Sequence, residues 1–313
     1  MTRAFIFPGQ GAQTIGMGRD LAEAYPAARE VFDEVDAALG EDLSALIFEG
    51  DIEELTLTRN AQPALMATSM AAMAALQMEG VAVSDASYVA GHSLGEYAAL
   101  CAAGTLSLAD TARLLRLRGE AMQAAVPAGE GAMAAILGLD FDKVAEIAAE
   151  AADGAVCEAA NDNDPAQVVI SGAKAAVERA TVLAKERGAK RALMLPVSAP
   201  FHCALMQPAA EAMAVALAEV DLQTPTVPLV GNVIARADSA PDLIRENLVA
   251  QVTGRVRWRE SVAWMAAHGV TETFEIGAGK ALSGMVKRID RSVATHAVGT
   301  PDDVQQAVAA IKG

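Results

Sequence analysis

Gly91-His92-Ser93-Leu94-Gly95 fits Gly-x-Ser-x-Gly, a strand-to-helix turn that lifts a serine hydroxyl as a nucleophile. Ala86 to Ala90 reads as the short strand before it, and Leu94 to Cys101 as the start of the helix behind it. The turn is sharp, so a Cβ at Gly91 or Gly95 would meet neighbouring backbone. Ser93 itself would sit in a strained backbone at a helix N-terminus, where partial positive charge favours a developing anion.

A serine nucleophile needs a base, and the chain has four histidines. His92 adjoins Ser93, but its ring should point away and pack or hydrogen-bond beneath the turn. His268 precedes Gly269 at a helix end and reads as a cap, and His296 lies on a late strand without polar company. His202 follows the proline-bounded loop 196–200 and opens a helix, a setting suited to a catalytic group. About a third of the chain follows His202, and no acid stands out as a third member, so the order is not that of an ordinary α/β-hydrolase. At the end of the first strand, Phe7-Pro8-Gly9-Gln10-Gly11 allows close backbone approach and could offer an N–H to an oxyanion.

Phe7-Pro8-Gly9-Gln10-Gly11, Gly91 to Glu96, Leu117-Arg118-Gly119, Gln167 to Gly172 and Pro200 to Met206 occur in that order. Together they resemble the malonyl-CoA:acyl carrier protein transacylases of bacterial type II fatty acid synthesis and the related acyltransferase domains of polyketide synthases. The resemblance spans essentially the whole chain. It implies Ser93 as nucleophile, His202 as base, and the N–H groups of Gln10 and Leu94 as oxyanion hole. It implies Arg118 as partner of the malonyl carboxylate; taken alone, Arg118 reads as a surface charge beside Arg113 and Arg116. Gln251 resembles a glutamine whose carbonyl orients the histidine, and Asn163, with Asn161 as the alternative, resembles a pocket residue. Phe201 resembles a residue that leaves no room for an α-methyl group. Gly277-Ala278-Gly279 departs from a frequent Gly-Pro-Gly. The implied partners are malonyl-CoA and acyl carrier protein, with no metal or redox cofactor. A thioesterase would use the same pair with water, and a carrier-binding subunit would need neither.

The elements around these residues read as alternating strands and helices, hence a mostly parallel sheet covered on both faces. Arg3–Phe7 is a strand, residues 17–39 are helical with a break at Pro26, and Asn60–Met78 is a helix with Pro63 in its first turn. Ser107 caps a helix with Asp110 three residues on. Between residues 128 and 196 the order becomes β-α-β-β-α-β, the ferredoxin-like pattern, with Asn161-Asp162-Asn163-Asp164-Pro165 as its central turn. The expectation is an α/β protein: a large α/β-hydrolase-like domain from residues 1–127 and 197–313, and a small ferredoxin-like insert from 128–196.

Composition bounds the rest. Of 313 residues, 53% are apolar and 4% aromatic, which suits a helix-rich globular protein with small side chains at helix contacts. A net charge of −16 argues against nucleic acid as partner. It also means that an anionic substrate needs a local cation, and arginine grips a carboxylate with two parallel hydrogen bonds. Basic clusters at Lys185, Arg187, Lys190 and Arg191, and at Lys280, Lys287 and Arg288, are candidate contacts for an acidic carrier protein. Cys101, Cys157 and Cys203 show no paired spacing, as suits a reducing cytoplasm. The most apolar run, Ala64 to Met78, is shorter than the ~20 residues a spanning helix needs. A cytoplasmic monomer, not bound to membrane, is expected.

Overall fold

A computed structural model describes residues 2–197 and 199–313; Met1 and Ser198, the latter in the proline-bounded loop, lie outside it. In chain order its strands are β1 (Thr2–Phe7), β2 (Tyr88–Gly91), β3 (Gly131–Leu137), β4 (Cys157–Asp164), β5 (Gln167–Ala173), β6 (Arg191–Met194), β7 (Leu229–Val230), β8 (Ala237–Asp238), β9 (Val270–Ile276) and β10 (Ala294–Val298). They make two sheets, ordered β10-β9-β1-β2-β7-β8 and β4-β5-β3-β6. The first is parallel except at β8. The second is antiparallel throughout, in the ferredoxin-like order. The chain is therefore a mixed α/β protein with a parallel-rich sheet and a smaller antiparallel one.

The period-two alternation of β1 explains why the parallel sheet needs helices on both sides. Phe5 and Phe7 face a core shared with Val89, Leu229 and Phe274. Ala4 and Ile6 face the other way, with Ala90, Val230 and Trp258. The antiparallel sheet has its own core, in which Ile136, Val168 and Ile170 meet Val144, Ile147 and Val177 of its two helices.

Three expectations need correction. The run Asn161 to Asp164 is not a turn but the end of β4, with register shifts against β5. Its polar side chains, which look like turn residues in sequence, are buried, and three have partners: Asp162 with Arg259 at 2.8 Å, Asn163 with His92 at 2.8 Å, and Asp164 with Arg288 at 2.7 Å. Helices Leu43–Glu49 and Ile52–Thr56 escape the sequence pattern because each is short; Asp42 and Asp51 cap them. Pro63 lies beyond the first turn of a helix that runs Thr58–Met78. It cannot donate to the Arg59 carbonyl one turn back, and Arg116 Nη1 takes that carbonyl instead, at 2.7 Å.

That long helix and Leu108–Ala124 cross closely at Gly119. A Cβ there would lie 2.5 Å from Arg59 Cα and 2.7 Å from the Thr58 carbonyl oxygen. The crossing brings Arg118 beside Gln62, so helix packing builds one wall of the site. Gly119→Ala should force the helices apart and lower unfolding free energy by about 1–3 kcal/mol, read from urea denaturation. An unchanged midpoint would show that the crossing does not depend on this glycine.

Candidate active site

Ser93 lies two residues past the end of β2, with φ of 53°, and the helix Gly95–Ala102 begins two residues later. A Cβ on Gly91 would fall on the Gly95 carbonyl, and one on Gly95 on the carbonyl of Phe7, so both glycines are sterically required. The turn is tied on both sides. His92 N donates to Phe7 O at 3.1 Å, Ser93 N to Asn232 Oδ1 at 2.8 Å, and Asn232 Nδ2 to Gly91 O at 2.7 Å. These bonds hold Ser93 in its left-handed conformation.

His202 meets it from the other side of the cleft. Ser93 Oγ and His202 Nε2 are 2.7 Å apart, and His202 Nδ1 lies 2.9 Å from the carbonyl oxygen of Gln251. A carbonyl only accepts, so Nδ1 carries the proton and Nε2 is free to receive one from Ser93. A backbone carbonyl thus fills the place that an acid occupies in a triad, and it adds no charge. His202 also has a positive φ, 59°. Burial first, and the Arg118 cation second, push the His202 imidazole down to about 3. It is therefore neutral across the physiological range, with Nε2 unprotonated.

Arg118 is buried, not a surface charge. Its Nη1 donates to Gln62 Oε1 at 2.6 Å, and its Nη2 to Gln251 Oε1 at 2.8 Å and to Ser93 Oγ at 3.2 Å. Its Nε has no hydrogen-bond partner among the described residues. Burial holds its pKa below the ordinary value, with Tyr97 and Glu96 opposing. A guanidinium held by amides and a hydroxyl, beside a nucleophile, is poised for a carboxylate.

Gln10 sits on the loop after β1, its Oε1 accepting from Thr58 Oγ1 at 2.9 Å; Gln62 Nε2 donates to the same hydroxyl at 3.0 Å. Hydrogen bonds therefore run from Arg118 through Gln62 and Thr58 to the loop that carries Gln10. Among the described residues no hydrogen bond engages the main-chain N–H of Gln10 or Leu94. Phe201 is buried in the main core beside His202. Asn163 Oδ1 accepts from His92 Nε2 at 2.8 Å, so it braces the turn from beneath. His92 does pack under the turn, its ring 5.8 Å from Trp258. His268 bonds back to Trp264 O, and His296 stacks on Phe274. Cys203 is buried, its thiol bonded to Pro200 O and pushed up to about 11 by burial, and so stays protonated.

Sequence reasoning missed Gln62, Thr58, Asn232 and Glu96 as members of the site. Only Glu96 carried a signal, as the last residue of the Gly91–Glu96 motif.

Residues 4–309 match the model of the acyl transferase domain. The chain belongs to the acyl transferase family. Within that family it is similar to the malonyl CoA-acyl carrier protein transacylase of Escherichia coli (strain K12), 49% identical over 305 residues, 97% of this chain and 98% of the relative. It is likewise 49% identical to the protein of the same name from Bacillus subtilis (strain 168), over 99% of this chain and 97% of the relative. The crystal structure of acyl-carrier-protein-S-malonyltransferase from Bartonella henselae superposes with a TM-score of 0.98 at 55% identity, covering 100% of both chains. A malonyl-transacylase in complex with a holo type II polyketide synthase acyl carrier protein superposes at 0.96 and 44% identity, over 99% of this chain and 100% of that one.

The depressed His202 pKa in this acyl transferase family member has two consequences. The unfolded chain takes up a proton near pH 6.5 and the folded one does not. This contribution to stability is therefore complete above 6.5 and is lost as pH falls toward 3. Reaction of Ser93 with an uncharged phosphonate should likewise hold its rate through ordinary histidine titration. In Arg118→Met the acid limb should move to higher pH, because the second cause of the depression is gone. An acid limb near 6.5 in the unmutated protein, unmoved by that substitution, would contradict the geometry.

Proposed function

We propose that this chain carries a malonyl group from malonyl-CoA to the phosphopantetheine thiol of an acyl carrier protein, through a malonyl ester on Ser93. The observation that carries the reading is the placement of one hydroxyl, Ser93 Oγ, 2.7 Å from a neutral imidazole and 3.2 Å from a buried guanidinium. Family membership and relatives named for that reaction support it.

In this reading Arg118 grips the malonyl carboxylate and Ser93 Oγ attacks the thioester carbon while His202 Nε2 takes its proton. The N–H groups of Gln10 and Leu94 receive the oxyanion. Collapse breaks the carbon–sulfur bond, and the departing thiolate of coenzyme A takes the proton from His202. The carrier protein's thiol then gives its proton to His202 and attacks the ester carbon; the carbon–oxygen bond to Ser93 breaks, and His202 returns the proton to Ser93 Oγ. One thioester becomes another, so the reaction needs neither metal nor redox cofactor. Phe201, buried beside His202, limits the space at the acyl α-carbon. Asn163, bonded to His92, is in this reading also a contact for the substrate. The same reading has the protein working in the cytoplasm as a monomer; no helix among the described residues is long and apolar enough to cross a membrane. Of the two basic clusters, Arg187 is paired with Glu150 and Arg288 with Asp164, which leaves Lys185, Lys190, Arg191, Lys280 and Lys287 as the better candidates for an acidic carrier.

Mixing the protein with malonyl-CoA should add one malonyl mass, mapped to Ser93, and Ser93→Ala should abolish it. His202→Ala should slow transfer by about 10²–10⁴-fold. An adduct that persists in Ser93→Ala, or that turns over to water as fast as to carrier protein, would overturn the reading.

Arg118→Ala should cut kcat/KM for malonyl-CoA by about 10²–10³-fold, because a buried carboxylate would lose its partner. Acetyl transfer should hold steady or rise, and lysine at 118 should restore malonyl transfer only in part. A malonyl-to-acetyl ratio equal to the unmutated protein's would place anion recognition elsewhere.

A further inference from the structure

Glu96 is buried in the first turn of the helix behind Ser93, and its two oxygens are unequal. Oε2 accepts from Gln251 Nε2 at 2.7 Å and from Asn232 N at 3.2 Å. Oε1 has no hydrogen-bond partner among the described residues. A buried carboxyl with an unpartnered oxygen costs stability, so its one working oxygen calls for a use. The two groups it holds are the supports of the reaction site. Asn232 braces Ser93 N and Gly91 O, and Gln251 contacts Arg118, Ser93 and His202.

We propose that Glu96 is a positioning residue for acyl-group selection, fixing the side-chain amide of Gln251 so that its oxygen faces the Arg118 guanidinium. This rests on the role given above to Arg118. A glutamine amide has nearly the same shape with its oxygen and nitrogen exchanged, so its neighbours decide which way it points. On one side Arg118 Nη2 offers a donor, met by Gln251 Oε1 at 2.8 Å. On the other, Glu96 Oε2 at 2.7 Å, Ser93 O at 2.9 Å and, more distantly, Asn232 Oδ1 at 3.5 Å offer acceptors to Nε2, with Glu96 the nearest. With the amide reversed, its oxygen would face three acceptors and its nitrogen a cation. Glu96 therefore locks the orientation that aims Arg118 at the reacting hydroxyl. Burial raises its carboxyl to about 7, against Gln251, Asn232 and Arg118, which lower it. Both the neutral and the charged form present an acceptor at Oε2, so the acceptor matters and the charge does not.

The test compares kcat/KM for malonyl-CoA and acetyl-CoA, with melting temperature, in the full chain and its Glu96 variants. Glu96→Ala removes the acceptor, and malonyl transfer should fall by about 10–100-fold, the worth of the Gln251 bond to the Arg118 cation that it lets go, while acetyl transfer falls far less. Glu96→Gln keeps an oxygen at the same place and should hold the malonyl-to-acetyl ratio within about 3-fold of the unmutated protein. Should Glu96→Ala not fold, Glu96→Met fills the space without an acceptor and carries the same expectation. An equal fall for both substrates would reduce Glu96 to scaffolding, and a Gln variant as unselective as the Ala one would overturn the acceptor account. Failure of the unmutated protein to prefer malonyl-CoA would instead sink the reading of Arg118.

Discussion

A guanidinium buried without a carboxylate is the constraint around which this molecule is organised. Charge in an apolar interior is costly, and most buried arginines recover the cost through an acid. Arg118 is met instead by two glutamine oxygens and a serine hydroxyl. These neutral partners take Nη1 and Nη2, leave Nε unpartnered among the described residues, and bring no countercharge. That choice propagates outward. Gln62 must reach Arg118, so two helices cross at a glycine; Gln251 must reach it, so its own orientation has to be fixed. Burial, with the same cation as second cause, keeps His202 neutral, and an uncharged backbone carbonyl does there what an acid does elsewhere.

The parts legible in sequence were those in which chemistry is local. Gly91 to Gly95 specifies a turn by sterics alone, and the strand and helix on either side followed from pattern. The insert was legible as an order of elements, because each of its helices and strands has its own periodicity. His202 was reachable by elimination among four histidines. Arg118 was reachable only through the resemblance of Leu117-Arg118-Gly119, since a charged residue on a helix with Arg113 and Arg116 looks solvated until the neighbouring helix is in place. The Gln251 contact with His202 is made by a main-chain oxygen, which no residue type announces. Gln62 and Asn232 are ordinary polar residues in sequence and gain meaning only from what faces them.

Asn161 to Asp164 shows why local composition misled. Every residue of that run favours a turn. The chain stays extended there because Arg259, Arg288 and His92 each claim one of its side chains, and the main chain bridges to Val256. Tertiary partners outweighed intrinsic preference, as they do where a strand edge is drawn into another unit's surface.

This stitching bears on how such proteins can be recombined. The antiparallel unit looks like a cassette, continuous in sequence and with a core of its own. Yet its second strand reaches into the machinery of the larger unit through three neighbouring side chains. A chimera that imports the cassette from a relative would import one half of each contact. It would have to bring matching residues at 92, 259 and 288, scattered over the recipient's sequence, or the graft would fold with its reactive turn unsupported. Modularity in the chain is not modularity in the site.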